Sequence, residues 1–180
     1  VYKRQGLVRT KKGSLLAVYD IRYDRSNDLP ANIDVGVSRS TDGGRTWSDV
    51  RIALDDSKID PSLGATNGVG DPAVLVDEKT GRVWVAALWS HKHSIWGSKS
   101  GDNSPDACGQ LALAYSDDDG LTWSKPINIT EQTKDKDWRI LFNGPGSGIC
   151  MKDGTIVFAA QYWDGKGVPW STIVYSKDQG

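Results

Sequence analysis

Cysteine is scarce: Cys108 and Cys150 are the only two in 180 residues. Two thiols so far apart make no disulfide framework; they pair with each other or stay free. There is no Cys-based zinc spacing, no G-x-S-x-G and no phosphate-binding loop, so the simplest zinc, serine-hydrolase and nucleotide readings fall away. Charge of one sign is also missing, with a net charge of −1. Without a basic excess, nucleic acid is not an expected partner. No apolar run is long enough to cross a membrane. No signal peptide opens the chain, but the first residues read as the inside of a fold, so that lack carries no message about export. Phenylalanine is rare as well, two against eight tryptophans.

What is present is glycine, 20 residues of it, as a turn-rich all-β chain requires. The stretch Ser40-Thr41-Asp42-Gly43-Gly44-Arg45-Thr46-Trp47 returns as Ser116-Asp117-Asp118-Asp119-Gly120-Leu121-Thr122-Trp123. A cut-off copy, Ser176-Lys177-Asp178-Gln179-Gly180, ends the sequence. In the pattern S-x-D-x-G-x-T-W, the Asp accepts backbone N–H groups and ties a turn. The Gly takes positive φ, and the Trp buries a large apolar surface. Trp47 and Trp123 are therefore expected to be largely buried, and the turns to be structural. A strand enters each copy: Ile33–Arg39, Leu111–Tyr115 and Ser171–Tyr175. Self-similarity at long period with a hairpin in each unit predicts one four-stranded sheet per period, the unit of a β-propeller. At this period the chain holds about three blades.

Residues 1–5 show no clear strand partner. From Gly6 the pattern is regular: Gly6–Thr10 and Leu15–Tyr19 are strands about a turn. Residues 20–32 are polar and without period, and are expected to be a long loop of the kind that is often functional. A second unit opens at Asn67-Gly68-Val69-Gly70-Asp71-Pro72, with strands over Ala73–Asp77 and Arg82–Leu88. A polar, aromatic excursion runs from Trp89 to about Gly109. A third unit follows the tight passage Asn143-Gly144-Pro145-Gly146-Ser147-Gly148.

Chemistry-bearing residues lie in the long loops. Arg22 offers a fork for carboxylate or sugar hydroxyls, and Asp28 a carboxyl for proton transfer; the alternative is a solvated charged loop, with Asp20, Asp24 and Arg25 nearby. Asp71 is either a site carboxylate or a turn cap. Trp89 and Trp96 either line a ligand site or pack. His91 and His93 form an H-x-H pair without a convincing third ligand, so a surface pair is expected and no metal.

At these residues the sequence resembles a family, the bacterial exo-sialidases. The resemblance runs from Gly6 onward. It is carried by Tyr19-Asp20-Ile21-Arg22, then Asp28-Leu29-Pro30-Ala31-Asn32-Ile33-Asp34, then Arg39-Ser40-Thr41-Asp42-Gly43-Gly44. Gly70-Asp71-Pro72, the Trp89 to Trp96 segment and Gly144-Pro145-Gly146-Ser147-Gly148 follow in the family's order. The resemblance implies an all-β fold, a partial six-bladed propeller over residues 1–180 with Asp-box hairpin turns. It implies Asp28 as the acid/base carboxylate and Arg22 by the sugar's 4-hydroxyl. It implies Asp71 as acceptor from the N-acetyl N–H, and Trp89 and Trp96 near the N-acetyl or glycerol arms.

No cofactor is implied. The implied partners are sialylated glycans, glycoproteins or glycolipids, and the implied location is secreted, periplasmic or at the cell surface. Sialidases use a Tyr nucleophile, which begins neutral and so escapes repulsion by the substrate's carboxylate. That Tyr, the Glu that activates it and two arginines are expected beyond Gly180. The family's R-I-P motif is replaced by Lys3-Arg4-Gln5, with Arg4 out of register. Alternatives are a non-catalytic Asp-box propeller that binds glycan or protein, and a trans-sialidase. Arg22, Asp28 and Asp71 are expected to converge on one face, with Trp89 or Trp96 at the same cavity.

Overall fold

The computed structural model describes residues 1–63, 68–92 and 94–180; Asn67, His93 and the side chains of Arg4 and Gln5 lie outside the described residues. The chain is all-β, with three short helical turns among the described residues. The first sheet has the order β1 (Tyr2–Arg9), β2 (Leu15–Arg22), β3 (Ile33–Ser40), β4 (Arg51–Leu54), every neighbour antiparallel. After a helical turn α1 (Asp56–Ile59) come β5 (Val69–Val76), β6 (Val83–Trp89), β7 (Gln110–Ser116) and β8 (Ile127–Asn128), again in sequence order. A second turn, α2 (Thr130–Thr133), leads to β9 (Ile140–Asn143), β10 (Gly146–Ser147) and β11 (Ile149–Cys150). β9 and β11 both pair with β12 (Ile156–Trp163), whose other neighbour is β13 (Pro169–Ser176). Between them the chain crosses over to lay β10 parallel on β5.

Residues 1–5 do have a partner, contrary to expectation. Tyr2 and Lys3 pair with Ile21 and Asp20, and a bulge before Gly6 absorbs the break in pattern. Residues 20–22 are likewise strand and not loop: they complete β2. Gly6 sits where β1 passes close over the second sheet. A Cβ there would stand 2.3 Å from the Gly146 carbonyl oxygen, so only glycine allows the crossing.

The period-2 alternation of β5 and β6 splits their apolar residues between two cores. Val74, Val76, Val83, Val85 and Ala87 pack toward Leu16, Val18, Val35 and Leu54 of the first sheet. Ala73, Leu75, Trp84 and Ala86 pack toward Ile156 and Phe158 of the third. The second sheet is thus covered on both faces, and its strands read as nearly unbroken apolar runs. Each fully buried Val or Leu contributes about 1.5–3 kcal/mol of transfer free energy. The outer faces of the end sheets remain open: Tyr2 and Leu7 on one, Ile149, Ile173 and Tyr175 on the other are more than half exposed.

The repeated turns join β3 to β4 and β7 to β8. Asp42 accepts the Thr46 amide at 2.9 Å and the Thr46 hydroxyl at 2.6 Å. Asp118 accepts the Thr122 amide at 2.8 Å and hydroxyl at 2.6 Å. In the third copy the Gly180 amide donates to the Ser176 hydroxyl at 2.8 Å, as Gly44 does to Ser40 and Gly120 to Ser116. The tryptophans differ from expectation. Trp123 is half-buried against the core between the first two sheets, because its turn leans on the first sheet: Asp119 accepts from the Ser14 hydroxyl at 2.7 Å and pairs with Arg39. Trp47 has no sheet on its outer side among the described residues. It is 43% exposed and donates to its own turn at the Gly44 carbonyl.

These turns make stability acid-sensitive. The Thr46 hydroxyl, then its amide and Ser40, hold the Asp42 carboxyl down to about 2. At Asp118 partial desolvation opposes the charge, but Thr122 and Ser116 outweigh it and again hold the carboxyl at about 2. An unfolded Asp titrates near 3.9. Depressed carboxyls contribute stability above that value and lose it as pH falls through the folded value. Asp34, pushed up by burial, acts in the opposite sense. The thermal midpoint is expected to fall between about pH 4 and pH 2, less steeply in Asp118→Asn. A midpoint flat over that interval would contradict the assignment.

Candidate active site

The site begins on β2. Asp20 and Arg22 are two residues apart on a strand and so share a face, where both are buried. Arg22 donates to Asp20 Oδ2 through Nη2 at 2.7 Å and through Nε at 3.2 Å. Its Nη1 donates to the Ser26 carbonyl at 2.8 Å, which folds the following loop back over the guanidinium. The same Nη2 meets Asp28 Oδ1 at 2.7 Å. Burial works against the Arg22 charge, but the Asp20 and Asp28 carboxylates outweigh it and raise the pKa further. Asp28 keeps 63% of its side chain exposed. It is a carboxyl gripped on one side and open on the other.

The second element is the bulge in β5 between Gly70 and Ala73. It holds Asp71 at φ 57°, a left-handed conformation that costs a non-glycine residue about 1–3 kcal/mol. Two bonds keep it there. The Asp71 amide donates to Asp20 Oδ1 at 2.8 Å, and Asn143 Nδ2 donates to the Asp71 carbonyl at 2.8 Å.

Asp28 and Asp71 line one cleft of about 650 Å³. Arg139, Gln161, Trp96 and Trp163 share its walls. Trp96 is 73% exposed, its ring 4.7 Å from that of Trp163. Arg22 stands behind Asp28 and does not line the cleft, which corrects the expectation of a direct sugar contact: its guanidinium is taken up by Asp20, Asp28 and the Ser26 carbonyl. Trp89 does not reach the cleft: it is fully buried, packs in the core between the first two sheets, and donates its indole N–H to Asp56 at 2.8 Å. Its place at the end of the buried strand β6 makes it a packing residue, which corrects the expectation of a substrate contact. His91 is buried with Nε2 3.2 Å from Asp106, and the H-x-H pair cannot be completed because His93 lies outside the described residues. No cluster of three metal-ligating side chains occurs among the described residues. Cys108 and Cys150 are both free.

Asp20, Asn143, Arg139 and Trp163 are missing from the sequence-based set. Asp20 carried a usable signal, since Asp-x-Arg at the end of an apolar strand puts both charges on one face. A second cavity, of about 670 Å³, lies between the second and third sheets. Trp84, Leu111, Ile129, Phe158 and Val174 give it an apolar wall, and it holds neither Asp28 nor Asp71.

The turns are placed apart from this cleft. The loop of Asp28 enters β3 and the turn of Asp42 leaves it. Eight residues of strand separate the two ends, about 26 Å at 3.3 Å per residue.

Residues 5–180 match the model of the BNR repeat-like domain. The chain belongs to that family. The BNR-repeat chain is similar to curated sialidases: it is 50% identical to one from Bacteroides fragilis (strain YCH46), over 99% of this chain and 34% of that protein. It is 36% identical to one from Clostridium perfringens, over 93% of this chain and 44% of the relative. Among solved structures, Hadza microbial sialidase Hz136 matches with a TM-score of 0.93 and 52% identity, over 99% of this chain and 36% of that one. The resemblance read from the motifs is thereby borne out. The BNR-repeat chain spans about a third of the length of the Bacteroides fragilis relative.

Proposed function

We propose that the chain is the N-terminal part of the catalytic domain of an exo-α-sialidase, a retaining glycosidase acting on terminal α-linked sialic acids of glycoconjugates. The observation that carries this reading is Asp28, held 2.7 Å from Arg22 and lining a cleft with Asp71, in a chain 50% identical to a sialidase. Asp28 protonates the departing glycosidic oxygen and then takes a proton from water. Arg22, buried behind Asp28, holds that carboxyl in place, Asp71 accepts from the N-acetyl N–H, and Trp96 gives an apolar wall to an arm of the sugar. Trp89 braces the cleft from the core and touches no substrate.

In this reading residues 1–180 are about three blades of a six-bladed propeller. The exposed outer faces of the first and third sheets support it, since further blades would cover them. The nucleophilic Tyr, its Glu and two arginines stand on those further blades. The complete protein is secreted, periplasmic or carried at the cell surface, where sialylated glycans are met.

The test is hydrolysis of a fluorogenic sialoside. The complete protein is expected to turn it over, and the 180-residue chain to show no measurable rate, because an acid without a nucleophile or arginine cluster cannot stabilise an oxocarbenium-like transition state. A complete protein that binds sialosides without hydrolysing them would make this a binding module. An active 180-residue chain would show that the nucleophile lies within it.

A further inference from the structure

We propose that Asp20 is the positioning residue of this site: from beneath the cleft its two carboxylate oxygens fix Arg22 and Asp71, and its charge offsets that of Arg22 at Asp28. The inference rests on the reading of Asp28 as the acid. Asp20 is fully buried and does not line the cleft. One oxygen takes two N–H groups of Arg22. The other takes the amide of Asp71, a residue 51 positions further along the chain. Asp20 thus joins the two elements that carry the site, and it holds the strained one in place. The backbone is fitted to it: a Cβ on Gly70 would stand 3.1 Å from Asp20 Oδ1, tighter than the contact tolerates without a shift.

The charges give Asp20 its second task. A single arginine beside a carboxyl lowers its proton affinity by about one to three pH units. A general acid needs its proton near the working pH. Arg22 alone would therefore work against the chemistry of Asp28. Because Nη2 is shared between the two carboxylates, Asp20 takes up much of the positive field. The other charged groups near Asp28 are mixed in sign. Asp24 and Arg25 lie in its own loop, Lys3 of β1 donates to the Ser26 carbonyl, and Asp71 and Arg139 stand on the cleft walls.

Asp20→Asn tests this with little change of volume. Its amide oxygen can still accept from Asp71, while its NH₂ faces Arg22 and the countercharge is gone. The midpoint of the Asp28 carboxyl, followed by ¹³C NMR in the 180-residue chain, is expected to fall by about one pH unit, tenfold in proton affinity. In the complete protein the alkaline limb of kcat/KM against pH is expected to move down by the same amount. A folded variant with an unmoved Asp28 midpoint overturns the proposal. So does an unmoved alkaline limb in an active protein. If Asp20→Asn does not fold, the unsubstituted chain decides: an Asp28 midpoint in the ordinary carboxylate range supports the offset, and one more than a unit below it overturns it. A complete protein that hydrolyses no sialoside refutes the sialidase reading, while the NMR titration still decides the role of Asp20.

Discussion

Replacing Asp28 with alanine in the complete protein is expected to slow hydrolysis of a natural sialoside by about 10²–10⁴-fold, the range of general acid catalysis. The loss should be far smaller for a substrate whose leaving group is an acidic phenol. A sugar hydroxyl leaves as a strongly basic oxyanion unless it is protonated in the transition state, whereas an acidic phenol departs with little help. The geometry suits this division. Asp28 is bound on one side by Arg22 and open to the cleft on the other, so its proton has a direction. The comparison of kcat/KM for the two substrates is the measurement. Equal losses would mean that Asp28 positions the sugar and transfers no proton.

The second large effect separates two tryptophans that the sequence treats alike. Trp89→Ala removes a fully buried indole and its bond to Asp56. Truncation of a buried tryptophan costs about 3–5 kcal/mol, and in a chain of this size each kcal/mol moves the thermal midpoint by about 2–4 °C. A fall of roughly 6–20 °C is expected. Trp96→Ala removes an exposed ring whose described ring contact is with Trp163. An aromatic pair of this kind is worth about 0.5–1.5 kcal/mol, so the midpoint should fall by no more than a few degrees. The complete protein should then lose affinity for sialosides, seen as a raised KM. Thermal unfolding and steady-state kinetics on both variants decide the matter. A Trp89→Ala protein of unchanged stability, or a Trp96→Ala protein with unchanged KM, would reverse the assignment.

The hairpin turns were legible because their chemistry is local. Asp42 reaches Thr46 within four residues, and Asp118 does the same with Thr122. The strands were legible from alternation and from the apolar runs of β5 and β6. That Asp20 and Arg22 lie on a buried strand is not legible in the sequence, because a buried ion pair has the same composition as a solvated loop. Their burial depends on Asp28 and on Asp71, brought in from another sheet. Trp89 was ambiguous for the same reason: its indole partner, Asp56, lies 33 residues earlier. The unlike exposure of Trp47 and Trp123 was invisible in two copies of one motif, since it depends on whether a neighbouring sheet lies beneath the turn. The passage Asn143-Gly144-Pro145 could be read as a tight turn, but nothing local reveals that Asn143 donates to the Asp71 carbonyl.

One of the two-residue strands has a mechanical meaning. β10 branches from the third sheet to lie on β5, the adjacent Gly148 amide donates to the Val74 carbonyl at 2.9 Å, and the Ser147 hydroxyl reaches the Leu7 carbonyl in the first sheet at 3.1 Å. A few residues of thread therefore stitch three layers, like a rivet through stacked plates. No plate can slide on its neighbour without shearing the rivet, so the layers share a load and yield together. The walls that carry Asp28, Asp71 and Trp163 come from three different plates, and their spacing is kept by a stitch that contributes no side chain to the cleft.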